Sequence, residues 1–175
     1  MALCLIALLS EQSGANLKLG VEPYLGYGQF SYSSAGSPEE SKFGAILGGK
    51  GGVFLNEDLW VALDYHLGGP YHLEQNKNEF LNRMWGAGVG LLKKPARFWV
   101  GYYYDAEIDD VERNVLIKGT ALKISMGYEY ESKLAINIEY IRQSYSEGKY
   151  QGVSRPLTLD VNVVYVSLSS PLFFE

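Results

Sequence analysis

Two histidines and one cysteine are the side chains of this sequence with the widest chemical repertoire. Asp64 and His66 share one face of a predicted strand, where a carboxylate could orient an imidazole for proton transfer. Residues two apart on a strand lie roughly 7 Å from each other, which is too far for a direct hydrogen bond. We therefore expect each to find a cross-strand partner. His72 follows Gly69-Pro70-Tyr71 in a predicted loop, where no metal-binding cluster surrounds it in sequence.

The cysteine, Cys4, can form neither a disulfide framework nor a cysteine metal site by itself. It lies in an apolar run over residues 1–9, which small and polar residues follow as far as Ala15. This order is typical of a secretory signal peptide with its cleavage site after Ala15. We expect a signal peptide over residues 1–15 and a single domain over residues 16–175. No Lys or Arg precedes the apolar run, so a short buried helix or a first strand is the alternative.

The amino-acid composition indicates the fold class and excludes one class of partner. The sequence has 14 Tyr and 20 Gly, and a mean hydropathy of -0.08. Aromatic residues favour strands and glycine disfavours helices, so these counts favour an all-β chain. The formal net charge is -5, and the largest basic cluster is the pair Lys93-Lys94. A nucleic-acid partner is therefore not expected, because the basic patch that such binding requires is missing.

From Leu17 onward, apolar residues alternate with small or polar residues at a period of two. This period is typical of strands with two chemically different faces. Leu122, Ile124 and Met126 share one face, for example, and Lys123 and Ser125 share the other. Eight such segments can be assigned. In the eighth, Leu157, Leu159, Val161 and Val163 are predicted to form the apolar face and Thr158, Asp160 and Asn162 the inner one, with a bulge near Val163-Val164.

The connections between the segments alternate between short and long. Short turns are predicted near Asn56, Lys94 and Ser132, and long loops over residues 31–41, 69–81, 106–118 and 146–156. If the strands run up and down, all short turns fall at one end of the sheet and all long loops at the other. Outer-membrane barrels place periplasmic turns and extracellular loops in this way.

Aromatic residues mark both ends of the predicted strands. One ring is expected at the loop end and a second at the turn end, and two such rings flank the lipid-facing band of a membrane barrel. The predicted loop-end ring comprises Tyr27, Phe43, Tyr65, Trp85, Tyr104 and Tyr140. The predicted turn-end ring comprises Phe98, Tyr128, Tyr130 and Tyr165. A soluble barrel has no reason to carry these rings, so we expect the apolar face to meet lipid.

Residues 21–27, 98–102 and 134–140 resemble strands of the small outer-membrane barrels of the OmpA transmembrane-domain and OmpX type. The resemblance extends from Leu17 to the C-terminus and consists of pattern. It implies an all-β, eight-stranded, antiparallel up-and-down transmembrane β-barrel in the outer membrane of a Gram-negative-type envelope. It further implies contacts with the lipid bilayer, lipopolysaccharide and the outer-membrane assembly machinery, and a monomer.

Charged residues on the predicted inner face form the candidate site. An eight-stranded barrel is just wide enough for side chains to fill, so we expect these charges to pair and to plug the lumen. The alternative is a narrow solute channel or proton path through the same ion pairs. The predicted lumen network comprises Lys18, Glu22, Lys50, Asp64, His66, Lys123, Glu129, Glu139 and Asp160.

A second alternative is an enzyme that modifies lipid A, because some small outer-membrane barrels are deacylases or palmitoyl transferases. Such chemistry requires a nucleophile and a base where acyl chains can reach them. His66 has inward parity, so we expect no catalytic residue, cofactor or metal site. The predicted loops carry Tyr32, Tyr71, Tyr145 and Tyr150 beside Ser, Gly and Asn, a mixture suited to adaptable contacts. The favoured function is therefore a structural or surface-interaction protein acting through these loops.

Overall fold

The computed structural model describes residues 18–34, 40–69, 80–110, 115–131, 133–150 and 153–174. The predicted signal peptide, His72 and most of the predicted loop 69–81 lie outside these residues. The described chain forms strands β1 (Leu19–Ser34), β2 (Glu40–Phe54), β3 (Leu59–Gly69), β4 (Phe80–Lys93), β5 (Ala96–Asp110), β6 (Val115–Glu129), β7 (Ala135–Tyr150), β8 (Val153–Ser169) and β9 (Leu172–Phe174).

The strands close into a barrel. Each strand from β1 to β8 pairs antiparallel with the next, and β8 returns to pair with β1. The short β9 continues the line of β8 along β1, since Ser169 pairs with Tyr24 and Leu172 with Val21. The nine segments therefore make an eight-stranded up-and-down barrel, as predicted. Closure leaves no open sheet edge, which is the condition for strands to cross a membrane. No helix in the described part of the chain is long and apolar enough to cross one.

The predicted alternation is confirmed in most of the wall. In β6, Leu122, Ile124 and Met126 are 45%, 47% and 56% exposed, whereas Lys123 is fully buried. Apolar side chains thus cover the exterior, the reverse of the usual arrangement in a water-soluble protein. The two aromatic rings are also present outside: Tyr27 stacks on Phe43 at a centroid distance of 6.1 Å. Tyr165 is the exception, because it points into the lumen and is 1% exposed.

The predicted orientation of β8 is wrong. Val161 and Val163 are fully buried inside the barrel, and Val164 and Val166 are exposed. The register against β1 runs without a shift through Val163 and Val164, so the predicted bulge is also absent. The loop-end half of the lumen is apolar, as described below, and hydrophobicity therefore does not mark the outer face there.

Two of the predicted long loops are mostly strand. β5 and β6 stay paired as far as Asp110 with Val115, and β7 and β8 as far as Tyr150 with Val153. Register shifts interrupt the β5–β6 pairing between Tyr103 and Ala106, the β6–β7 pairing between Lys118 and Gly119, and the β7–β8 pairing between Tyr145 and Glu147. Each bulge resets the alternation, which is why these segments look like loops in the sequence. The first bulge also turns Asp105 outward, although strict alternation from the buried Tyr103 would place it inside.

Candidate functional site

A fully buried ion cluster occupies the middle of the lumen. The Nζ atom of Lys123 lies 2.6 Å from Oε2 of Glu139 and 3.3 Å from Oδ2 of Asp64. The three side chains come from β6, β7 and β3, and each is at most 1% exposed. A buried ion pair is tolerated only where further hydrogen bonds satisfy the remaining lone pairs and protons. The partners of both carboxylates therefore decide whether this cluster is stable.

Hydroxyl groups supply those partners. Tyr24 and Tyr103 donate hydrogen bonds to Asp64, to Oδ1 at 2.8 Å and to Oδ2 at 2.5 Å. Tyr165 donates to Oε2 of Glu139 at 2.8 Å, and Ser167 donates to Oε1 of the same carboxylate. Side chains from several strands thus supply the hydrogen bonds that both carboxylates require. Parity places Tyr24 and Tyr103 on the inner face, but Tyr165 and Ser167 were missed because the orientation of β8 was assigned in reverse.

A second group of ion pairs lies nearer the turn end. Glu22 accepts hydrogen bonds from Lys50, at 3.4 Å, and from Arg97. The Nε atom of Arg97 lies 3.6 Å from Oε2 of Glu129, whose Oε1 is 2.8 Å from Nζ of Lys94. Lys94 is 64% exposed, so the chain of charges extends from the interior to the turn-end mouth. Arg97 shares the inward parity of Trp99, which could have identified it.

Two predicted network residues lie elsewhere. Lys18 is at the turn-end mouth, where its Nζ atom is 5.8 Å from the ring centroid of Phe54 and 5.3 Å from that of Phe173. Asp160 is not in the lumen: it accepts a hydrogen bond of 2.8 Å from Ser144 on the exposed side of the wall. The reversed orientation of β8 is the reason for this second difference.

His66 is fully buried and takes part in no described catalytic pair. Its Nδ1 atom is 3.5 Å from the Tyr24 hydroxyl, and its ring packs edge-on against Tyr165 at 5.9 Å between centroids. Asp64 accepts its hydrogen bonds from Tyr24, Tyr103 and Lys123 and not from His66. No group of three or more His, Cys, Asp or Glu side chains in the described ranges could hold a metal ion.

The loop-end half of the lumen is packed with apolar side chains. This apolar layer comprises Phe30, Ile46, Met84, Ala106, Ile108, Ile141, Val161 and Val163, each at most 4% exposed. A small polar group lies within it: Asn82 and Tyr145 each donate to Oε1 of Gln143 at 2.8 Å. The lumen thus has an ionic half at the turn end and a largely apolar half at the loop end. Asn82 and Gln143 were not identified from the sequence, although Gln143 continues the inward parity of Glu139.

A separate ion triad lies on the outer wall beyond the loop-end aromatic ring. Glu107 accepts contacts of 2.6 Å from Arg83 and 2.7 Å from Lys118. The bulge in β5 places Glu107 on the outside. The hydrogen bond from Lys118 is the main lowering influence on the pKa of Glu107; together with the nearby positive charges, it outweighs partial burial and holds the pKa below its ordinary value.

Comparison with known proteins identifies solved structures of the same fold. No family model and no curated protein matches the sequence. Neisserial surface protein A (NspA) superposes with a TM-score of 0.57 at 14% identity, over 89% of this chain and 99% of that protein. Ail, the attachment invasion locus protein of Yersinia pestis, superposes with a TM-score of 0.53 at 12% identity, over 87% of this chain and 98% of its own. The predicted resemblance to small outer-membrane β-barrels is thereby confirmed for the fold.

Proposed function

We propose that this chain is an integral outer-membrane barrel with a sealed lumen, and that its loop-end hairpins contact ligands at the cell surface. The observation that carries the proposal is the division of the lumen into two closed layers. An ion crossing the barrel would have to enter the Lys123 cluster and then the apolar layer around Met84 and Ile141. The first step separates buried, hydrogen-bonded charges, and the second desolvates the ion.

The lipid-facing exterior supports the location. Leu25, Leu63, Val100 and Ile138 are 52–59% exposed, and aromatic rings border this apolar band at both ends. Tyr65 and Trp85 lie 4.9 Å apart between centroids at the loop end, and Tyr128 and Tyr130 lie 5.0 Å apart at the turn end. Aromatic girdles of this kind occupy the two interfaces of a membrane.

Planar-bilayer recording tests the seal. We expect the purified barrel to show no steady conductance. A steady conductance that disappears in the Lys50→Met variant or in the Glu139→Gln variant would contradict the sealed lumen. That result would favour the narrow channel. Replacement of the outward-facing Lys118 by Met is the matched control, because its charge lies outside the lumen.

The protruding hairpins are the proposed contact surface. β7 and β8 extend beyond the aromatic ring as far as Tyr150 and Val153, which are 49% and 57% exposed. One solved neighbour, Ail, is named as an attachment protein and was also solved in complex with the heparin analogue sucrose octasulfate. That role belongs to Ail, and it supports our choice of probes for this chain.

The binding test removes one hairpin tip. Glu147 pairs with Pro156, so residues 148–155 can be replaced by Asn-Gly, a dipeptide suited to a tight hairpin. Expressing cells are assayed on immobilised heparin, a glycan panel and extracellular-matrix proteins. We expect the expressing cells to bind at least one of these probes, and we expect the tip replacement to abolish that binding. Replacement of Glu57 by Ala, at the opposite end of the barrel, should leave the binding unchanged. Absence of binding to every probe, or binding unchanged by the tip replacement, would contradict the surface role.

We infer no enzymatic activity on lipid A. His66, the histidine that the structure describes, is fully buried in the lumen, away from the acyl chains outside. A base must approach the reacting group to within hydrogen-bonding distance. Lipid A from expressing and non-expressing cells should have the same acyl chains by mass spectrometry, and a change that depends on His66 would overturn this inference.

A further inference from the structure

A surface cavity lies on the outer wall of the barrel, at the level of the loop-end aromatic ring and outside the lumen. Its volume is about 180 Å³, the space of about six water molecules at roughly 30 Å³ each. Strands β3, β4 and β5 supply its lining, which comprises Tyr65, Arg83, Trp85, Asp105 and Glu107. The cavity is therefore large enough for one small organic ring.

The bulge in β5 brings a carboxylate to this cavity. In the register of β4 and β5, Trp85 lies opposite Asp105. The next pair joins Gly86 to Tyr103, so Tyr104 is the extra residue of the bulge. Bulges re-aim side chains and are frequent next to functional sites. Here the bulge places Asp105 beside the exposed Trp85, whereas regular alternation would have turned it into the lumen.

Two aromatic rings form the apolar side of the cavity. Tyr65 and Trp85 are direct cross-strand partners, with 4.9 Å between ring centroids and 50° between ring planes. Trp85 is 45% exposed. Its ring combines a large apolar surface with one polar N–H group. A ligand in the cavity can therefore pack C–H groups against the indole.

The polar side of the cavity offers both a free acceptor and free donors. The Asp105 carboxylate makes no hydrogen bond or ion pair with another residue of the described ranges. The guanidinium of Arg83 donates to Glu107 through Nη2, and its other N–H groups donate to no described residue. A carboxylate can only accept hydrogen bonds and a guanidinium can only donate them. A ligand that satisfies both must therefore donate and accept.

The charges at the cavity balance, which favours an uncharged ligand. Arg83 and Lys118 both contact Glu107, and Asp105 supplies the second negative charge. A phosphate would approach two carboxylates, and an ammonium group would approach two cations. A hydroxyl group both donates and accepts hydrogen bonds without carrying a charge. A ring that bears neighbouring hydroxyl groups and an apolar face thus matches the polar groups, the aromatic surface and the volume together.

We propose that this cavity binds one uncharged sugar ring, packed against Trp85 and hydrogen-bonded through its hydroxyl groups to Asp105 and Arg83. A sugar reaches this level of the wall either as the head group of a membrane glycolipid or as part of a soluble saccharide. The site belongs to β3, β4 and β5, so it is independent of the β7–β8 hairpin tip that the surface role requires. Either proposal can fail without the other.

Saturation-transfer NMR tests the proposal on the folded barrel in nanodiscs whose lipids carry no sugar. The probes are the methyl glycosides of glucose, galactose, mannose and N-acetylglucosamine, with tetramethylammonium chloride as a cationic probe. We expect saturation transfer to the ring protons of at least one glycoside, with a signal that saturates as its concentration rises. Transfer to no glycoside, or to tetramethylammonium alone, would overturn the proposal.

Substitutions in the lining make the test specific to the cavity. Trp85→Ala and Asp105→Ala should each weaken binding of the glycoside about tenfold or more, because each removes one side of the site. Trp85→Phe keeps an aromatic surface and should retain binding. Tyr27→Ala and Asp109→Ala are the matched controls: the first removes another stacked residue of the same aromatic ring, and the second a carboxylate of β5 outside the lining. Equal affinities in the site variants and the control variants would contradict the assigned position.

Competition identifies the source of the sugar. The dodecyl glycoside of the bound sugar is added to the nanodisc and compared with the soluble methyl glycoside as a competitor. Displacement at a lower total concentration of the dodecyl form would assign the site to a glycolipid head group, and equal displacement to a soluble saccharide. If neither competitor displaces the probe, the contact is not a binding site and the proposal is wrong. Replacement of residues 148–155 should leave all of these signals unchanged, because that hairpin tip lies outside the lining.

Discussion

Lys123 and Glu139 form a buried diagonal pair across neighbouring strands, with 2.6 Å between Nζ and Oε2. In the register of β6 and β7, Lys123 lies opposite Ile141 and Glu139 lies opposite Ser125. The two charges therefore meet one step off the direct cross-strand position, on the inner face, where long side chains can still reach one another. Through Lys123, the pair also contacts the carboxylate of Asp64, which extends into the lumen from β3.

Removing the cation of this cluster should strongly destabilise the barrel. Lys123→Met leaves Asp64 and Glu139 buried without their counter-charge, and breaking a buried pair in this way costs about 3–5 kcal/mol of unfolding free energy. Urea unfolding from lipid vesicles, followed by tryptophan fluorescence, measures the loss. Lys118→Met is the control, because it breaks an exposed pair worth about 0–1 kcal/mol. Equal losses in the two variants would contradict the buried cluster.

The outer face of β6 should reject charge. Ile124 is 47% exposed near the middle of the apolar band, and an arginine there should cost about 2–4 kcal/mol in a bilayer. Ile124→Val keeps the face apolar and should cost far less. Folding of both variants into lipid vesicles is compared by the shift in gel mobility on heating. If the arginine variant folds as stably as the valine variant, Ile124 does not face lipid.

The turns should face the periplasm and the hairpin tips the exterior. Cysteines placed at Lys94 and at Gly148 lie at opposite ends of the barrel, because one follows β4 and the other lies near the end of β7. A maleimide that cannot cross the membrane should label the cysteine at position 148 of intact cells. Labelling at position 94 instead would reverse the orientation. Labelling at both positions after cell lysis serves as the accessibility control.

The outer ion triad should lose its contribution in acid. The pKa of Glu107 is lower in the folded state than its ordinary value of 4.5, so its pairing stabilises the barrel above that pH. The contribution disappears as the pH falls through the folded-state pKa, because the carboxylate is then protonated in both states. The difference in unfolding free energy between the wild type and Glu107→Gln should therefore be larger at neutral pH than well below pH 4.5. A difference that grows on acidification would contradict the direction of this shift.

The period of two determined the strands and most of their faces. Lys123 and Glu139 could be assigned inward, and Ile124 and Ile138 outward, because successive side chains on a strand point to opposite sides. The alternation of short and long connections then determined the up-and-down order. Both features depend only on residues close together in the chain, which is why they can be identified without coordinates.

Closure of the barrel decided which inward residues meet. Tyr24 and Asp64 are 40 residues apart and lie on strands that are not paired with each other, yet their side chains form a hydrogen bond across the lumen. The sequence predicted that both point inward, but no local pattern specifies the rotation of one strand relative to a strand across the barrel. The ion pair between Arg97 and Glu22, 75 residues apart, depends on the same closure.

Tertiary packing also decided the face of β8 and the length of the hairpins. Val161, Val163, Val164 and Val166 are apolar on both faces, so alternation cannot orient this part of the strand. Val161 and Val163 pack in the apolar half of the lumen, and Val164 and Val166 face lipid. Both environments suit valine, so the register against β1 and β7 decides which pair points inward. The bulge between Tyr103 and Ala106 is likewise a property of paired strands, because an extra residue is defined only against the partner that lacks it.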